Sequence, residues 1–199
     1  MTVQRSQQPE TANTAPTLNA LSRAAEGGEA SAYQALVQRL AGPITGFAAR
    51  LLGDRTEAED VAQESFTRLW RAYDLSPPKD SVRAWLYRTA HNLCIDRLRK
   101  RARTTAMPDG HDPVDPTANA ETKAIERDEH KALQAALNAL PPRQHSAILL
   151  VHYQGLSGRE AAGVMEIGEE ALESLLARGR RSLRAALTPP HMSGKGRAS

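Results

Sequence analysis

Between Arg83 and Arg103 the chain sets seven basic side chains, Arg83, Arg88, Arg97, Arg99, Lys100, Arg101 and Arg103, against one acid, Asp96. Trp85, Tyr87, His91 and Asn92 are interleaved among them. Cationic groups neutralise phosphates and release counterions, while flat rings and an amide suit a backbone with unstacked bases. The chemistry this stretch offers is nucleic-acid binding, with a solvated basic helix over a core as the plainer alternative. Cys94 follows His91 by three residues, and His145 precedes His152 by two turns, but neither pair has further ligand types nearby. Cys94 therefore reads as a small buried hydrophobe, and no metal or cofactor is expected. No Gly-rich phosphate loop, Ser/His/Asp set or paired carboxylates stand out, so an enzyme is not expected.

These residues need an element to carry them. Leu86, Ala90, Leu93, Cys94 and Leu98 recur at helical spacing, which predicts an amphipathic helix docked by one face. The 199 residues suit one or two small domains, and 4% aromatics with abundant Ala and Leu favour helical bundles. A net charge of +3 and a pI near 9.2 matter less than the clustering of the bases. One cysteine excludes a disulfide framework and fits a reducing compartment. Residues 1–17 lack the apolar core of a secretory signal, and the aliphatic run 148–151 is too short to insert in a membrane. A cytoplasmic protein is expected.

Composition divides the chain into a disordered tail (1–28), a first domain (29–103), a linker (104–131), a second domain (132–187) and a tail (188–199). Leu36, Leu40, Ile44, Phe47 and Leu51 mark a first helix that Pro43 should kink or divide and Gly53 should stop. Thr56 and Glu59 look like a capping box for a second helix burying Ala58, Ala62, Phe66, Leu69 and Tyr73. Ser76-Pro77-Pro78 breaks it before the basic helix. After the Pro- and Asp-rich linker, Ile125, Leu133, Leu137 and Leu140 mark another helix, and Pro141-Pro142 opens the next, which Gly155 ends. Ser157 should cap a short helix, followed by a turn near Ile167-Gly168 and a long helix with Arg178, Arg180, Arg181 and Arg184. Short helix, tight turn and long basic helix is a helix-turn-helix layout. The fold class expected is all-α, two small helical domains on a flexible linker. Trp70 and Trp85 are expected in the core or at a domain interface, Trp85 also near nucleic acid.

AEDVAQESFTRLW, RAWLYRTAHNLCIDRLRKR and LNALPPRQHSAILLVHYQGLSGREAA, in that order and spacing, resemble bacterial RNA polymerase sigma factors of the extracytoplasmic function (ECF) group. The resemblance covers about residues 29–103 and 132–187. It implies a promoter-specificity subunit that binds core RNA polymerase (β′ and β subunits) and promoter DNA, with an anti-sigma factor as a further partner. Asp60, Gln63, Glu64, Phe66 and Leu69 would dock on the polymerase. The loop 75–82 with Arg83, Trp85, Asn92, Asp96, Arg97, Arg99, Lys100 and Arg101 would bind the minus-ten element. Ala171, Glu173, Ser174, Arg178 and Arg181 would meet the minus-thirty-five element. A linker of about 27 residues spans about 25–30 Å as coil, enough for two separated elements.

The final helix departs from the family's habit. Glu169, Glu170 and Glu173 make its first turns acidic, which favours the helix macrodipole but repels phosphate. Glu166 stands where the turn usually wants glycine, at a cost of roughly 1–2 kcal/mol if left-handed, and Gly168 offers an alternative turn position. These departures motivate a rival reading from another class, a sigma-like mimic that sequesters an anti-sigma factor without binding DNA. A repressor using only residues 132–187 would leave the first domain unexplained.

Overall fold

Thr17 starts the first helix, its hydroxyl accepting the Ala20 N–H at 3.2 Å. In this computed structural model, which describes residues 16–78, 81–104 and 131–188, helix α1 spans Leu18–Glu26. The expected tail through residue 28 is therefore helical over part of its length. α1 buries Leu21 and Ala25, and Ser22 shares a 3.0 Å hydrogen bond with the Tyr73 hydroxyl. Its apolar positions Leu18, Leu21 and Ala25 are helically spaced, but the run is only nine residues long and follows a polar, Pro-containing stretch.

Helix α2 runs Ala30–Leu52 without a break, so Pro43 does not divide it. Pro43 and Arg39, whose carbonyl loses its usual partner, both lie exposed, where water can satisfy that oxygen. Leu36, Leu40, Ile44, Phe47 and Leu51 form the buried face as expected. Gly53 ends the helix at φ 69°, a left-handed position that glycine takes without strain. Asp54, not Thr56, then caps α3 (Arg55–Leu75), accepting the Glu57 N–H at 2.9 Å, while Glu59 pairs with Arg55 at 3.1 Å. The connection between the two helices is so short that the cap falls two residues earlier than the Thr56 pattern suggests. Helix α4 (Val82–Thr104) crosses the pair, burying Leu86, Tyr87, Ala90 and Cys94. Phe47 and Tyr87 meet edge to face at 5.6 Å. Burying each such large side chain is worth about 1.5–3 kcal/mol, which fixes the register of α4.

The second half begins with helix α5 (131–138); its expected member Ile125 and the linker residues 105–130 lie outside the described residues. Pro142 occupies the first position of α6 (Pro142–Ile148), which continues as a π-helical turn over Leu149–Tyr153. Gly155 follows at φ 63°. Ser157 caps α7 (Gly158–Met165) with a complete capping box to Glu160. Glu166 itself takes the left-handed turn at φ 54°, while Gly168 is extended and caps α8 (Glu169–Leu187). The turn is thus not moved to Gly168. Its geometry is fixed from both sides, since the Ile167 N–H reaches the Ala162 carbonyl at 3.0 Å. Leu172 and Leu176 anchor α8 beneath. Gly179 lies where a Cβ would meet Ile148 at 3.2 Å, which sets how closely α6 and α8 approach. Among the described residues no helix is long and apolar enough to cross a membrane.

Candidate nucleic-acid interface

The eight basic-helix candidates separate into groups. With about 100° of turn per residue, Trp85, Asn92, Asp96, Arg99 and Arg103 fall on one outward strip of α4. Asn92, Asp96, Arg99 and Lys100 are exposed, and Trp85 is half-buried at the start of the strip. Asp96 pairs with Arg99 at 3.5 Å, both side chains well exposed, an interaction worth under about 1 kcal/mol.

Arg97 and Arg101 turn inward. Arg97 donates to the Glu57 carbonyl. Arg101 donates to the Leu52 carbonyl at 2.9 Å and meets Glu57 at 2.8 Å and Asp54 at 3.7 Å. One guanidinium thus satisfies an end carbonyl of α2 and the acids at the start of α3, both favourable to helix termini. These two arginines tie α4 to the α2–α3 connection, each with part of its guanidinium. Arg83 is engaged too, with the Gln154 carbonyl.

On α3, Asp60 and Gln63 are exposed, whereas Glu64 is bonded to Arg68 at 2.7 Å. Leu69 is fully buried and Phe66 nearly so, so Leu69 supports the face from beneath. Phe66 shares an open groove of about 480 Å³ with Tyr33, Val37, Gln63 and Trp70. Trp70 is 46% exposed and stacks edge-on against Tyr33 at 4.8 Å, and the Tyr33 hydroxyl donates to the Phe66 carbonyl at 2.7 Å. Burial, with Tyr73 close by, pushes the Tyr33 hydroxyl up to about 12. The sequence predicts Trp70 in the core or at a domain interface, whereas its ring lies at the open rim of the groove. Its position two turns after Gln63, on the same side of the helix, was the available signal.

On α8, Ala171, Ser174, Arg178 and Arg181 line up as one outward strip, and Arg178 donates to the Ser174 hydroxyl at 2.8 Å. Glu173 is exposed but lies roughly 100° or more around the helix, on the flank of Arg180 and Arg184. The structure therefore joins four of the five readout candidates and separates Glu173.

Among the described residues no three His, Cys, Asp or Glu side chains converge as a metal site would require. Cys94 is fully buried, and burial pushes its thiol up to about 12, an inert position. Burial lowers His145 to about 4 and also lowers His91, whose Nδ1 lies 3.4 Å from the Asn92 amide oxygen. Hydrogen bonds from the Ser157 backbone N–H and hydroxyl lower Glu160, the signature of its capping role.

The patterns of two known regions match this chain, Sigma-70 region 2 over residues 36–104 and Sigma-70, region 4 over residues 130–183. The ECF RNA polymerase sigma factor SigE of Mycolicibacterium smegmatis is 33% identical over 156 residues, covering 76% of this chain and 60% of that protein. The RNA polymerase sigma-H factor of Pseudomonas aeruginosa is 30% identical over 173 residues, covering 81% of this chain and 89% of that protein. The solved structure of CnrH in complex with the cytosolic domain of CnrY superposes with a TM-score of 0.61 at 29% identity, covering 84% of this chain and 94% of that one. The chain spans less than two thirds of the first relative and nearly nine tenths of the second. With both regions present in order and the helices of each in place, the chain belongs to the ECF group of RNA polymerase sigma factors in the sigma-70 family.

Proposed function

We propose that this chain is an alternative sigma factor that binds core RNA polymerase and directs promoter-specific initiation. The observation that carries the reading is the coexistence of two outward, unobstructed strips: Trp85, Asn92, Asp96 and Arg99 on α4, and Ala171, Ser174, Arg178 and Arg181 on α8. The first combines an aromatic, an amide and the Arg99 cation, with Lys100 exposed beside it, which suits a melted strand held by stacking and phosphate contacts. The second sits on the recognition helix of a capped helix-turn-helix, where side chains reach base edges in the major groove. Asp60 and Gln63, beside the Trp70 groove, are the residues we assign to polymerase docking. Glu64, held by Arg68, contributes only by releasing that partner.

The test is reconstitution. Adding the protein to core polymerase with a library of upstream fragments should yield transcripts from a defined subset. Absence of any transcript, with the protein bound to the polymerase, would defeat the assignment.

An anti-sigma factor is a second proposed partner, because the sigma factor RpoE of Bartonella quintana, solved in complex with the anti-sigma factor NepR, shares this fold. The mimic reading draws on the acidic first turns of α8, where Glu169, Glu170 and Glu173 are all exposed. Anti-sigma binding without transcripts would favour it. The free strip on α4, which a pure mimic does not require, favours the sigma factor.

A further inference from the structure

Helices α1 and α3 end in opposite ways. Three of the last carbonyls of α1, those of Arg23, Ala24 and Ala25, accept the N–H groups of Gly27, Glu29 and Gly28 at 3.1, 3.0 and 3.0 Å. Gly28 takes the left-handed position there at φ 90°. Continuing α3 would pair the Tyr73 and Asp74 carbonyls with N–H groups of residues 77 and 78, but both are proline and have none. The last turn of α3 carries the acid Asp74 and no cation, which the helix macrodipole disfavours. Local sequence therefore does little to fix this end. Tyr73 reaches it from within: its buried ring meets Tyr33 edge-on at 6.3 Å, and its hydroxyl shares a 3.0 Å hydrogen bond with Ser22 of α1. Burial pushes the Tyr73 hydroxyl's pKa up, and the Ser22 bond pulls against that shift. Helix α1 also packs against α2 and α4, and α4 begins at the fully buried Val82. Two residues after Tyr73 and about 200° around the helix from it, Leu75 is 86% exposed. The matched pattern of region 2 starts at residue 36, so α1 and Ser22 lie outside it.

We propose that Ser22 and Tyr73 are positioning residues: through their hydrogen bond α1 holds the last turn of α3 and thereby sets the placement of Leu75 against opened promoter DNA. The DNA role rests on the proposed function, whereas the tie between the helices stands without it. An apolar side chain presented at a backbone turn can wedge between unstacked base steps. It does so only while the turn beneath it keeps its shape. A turn that is held in place for only part of the time lowers the apparent affinity of that contact by the same fraction. Ser22 acts on this contact solely through Tyr73, from a residue 51 positions away in the chain.

Amide hydrogen exchange in the full chain tests the tie. The probe is the Ser76 N–H, which donates to the Ala72 carbonyl at 2.8 Å and closes the last turn of α3. Ser22→Ala and Tyr73→Phe should each speed its exchange about threefold to tenfold. The double variant should exchange no faster than either single one, and Ser22→Thr, which keeps the hydroxyl, should exchange as the parent does. The Leu176 amide in the core of α8 should exchange alike in every variant, which separates the tie from a general loss of stability. For the DNA role, Ser22→Ala should bind core polymerase as the parent does. On a promoter fragment that the parent holoenzyme transcribes, its permanganate-reactive thymines should fall by about twofold or more. Unchanged Ser76 exchange in both single variants, or equal acceleration at Leu176, would overturn the tie. Faster Ser76 exchange with an unaltered permanganate signal would overturn the positioning role and leave the sigma-factor reading in place.

Discussion

In the first half, two of the basic helix's arginines are spent on architecture: Arg97 and Arg101 hold the α2–α3 connection while Arg99 and Lys100, in the same turn and a half, stay in solvent. In the second half, the long helix keeps Arg178, Arg180, Arg181 and Arg184 all exposed and is held instead by Leu172, Leu176 and the close approach at Gly179. A cluster of like charges is therefore a poor guide to function by itself. What separates a binding cation from a structural one is whether its donors find carbonyls and carboxylates inside the chain.

The largest contrast between the halves should emerge in acid. His145 is buried in α6 without a partner at Nε2 and is held down at about 4. Because its folded pKa is depressed, the unfolded chain takes up the proton first. Stability is intact above about pH 6.5 and falls as the pH drops toward about 4, by up to roughly 3 kcal/mol. Burial shifts His91 in the same direction, so His145→Gln is the variant that isolates the second half. Denaturant midpoints between pH 7.5 and 4.5 should show a shallower slope in that variant; superimposable slopes would contradict the assignment.

Readout by α8 comes next. Arg178→Ala should cost about 1–3 kcal/mol at one promoter position, read as altered preference in selection from a randomised upstream pool. Glu173→Lys should raise affinity across sequences without changing preference, since it sits off the strip. A new preference in Glu173→Lys would restore it as a base-reading residue.

In the first half, Arg101→Ala should lower stability by about 1–2 kcal/mol, since it removes a helix-end hydrogen bond and a half-exposed ion pair. Arg99→Ala should change stability by less than about 0.5 kcal/mol and instead reduce the salt slope of promoter binding by about one. Thermal unfolding and salt titration of the same two proteins check both halves of that statement. The smallest effect is expected at the turn: Glu166→Gly should relieve left-handed strain and stabilise by about 1 kcal/mol, visible as a higher denaturant midpoint.

Much of this was legible beforehand, for identifiable reasons. The apolar stripes from Leu36 to Leu51 and from Leu86 to Cys94 report the first core directly, because burial imposes helical periodicity. Ser157 with Glu160 names the start of α7, because a capping box needs those residue types at that spacing. Helix α1 was hidden because its order depends on docking against distant residues such as Tyr73. The inward turn of Arg97 and Arg101 was hidden for the same reason: their partners Glu57, Asp54 and Leu52 lie some forty to fifty residues away, which no local spacing encodes. The π turn before Gln154 leaves no compositional trace at all.

In the proposed function α3 and α4 turn their outer faces to a polymerase and its promoter, and a charge reversal at Asp60 probes that arrangement. Asp60 is exposed on α3 beside Gln63 and the Trp70 groove. The affinity of fluorescently labelled full-length Asp60→Lys for core RNA polymerase should be at least about tenfold weaker than that of the parent, about 1.4 kcal/mol, with an unchanged melting temperature. Equal affinity for core polymerase in both proteins would contradict that arrangement.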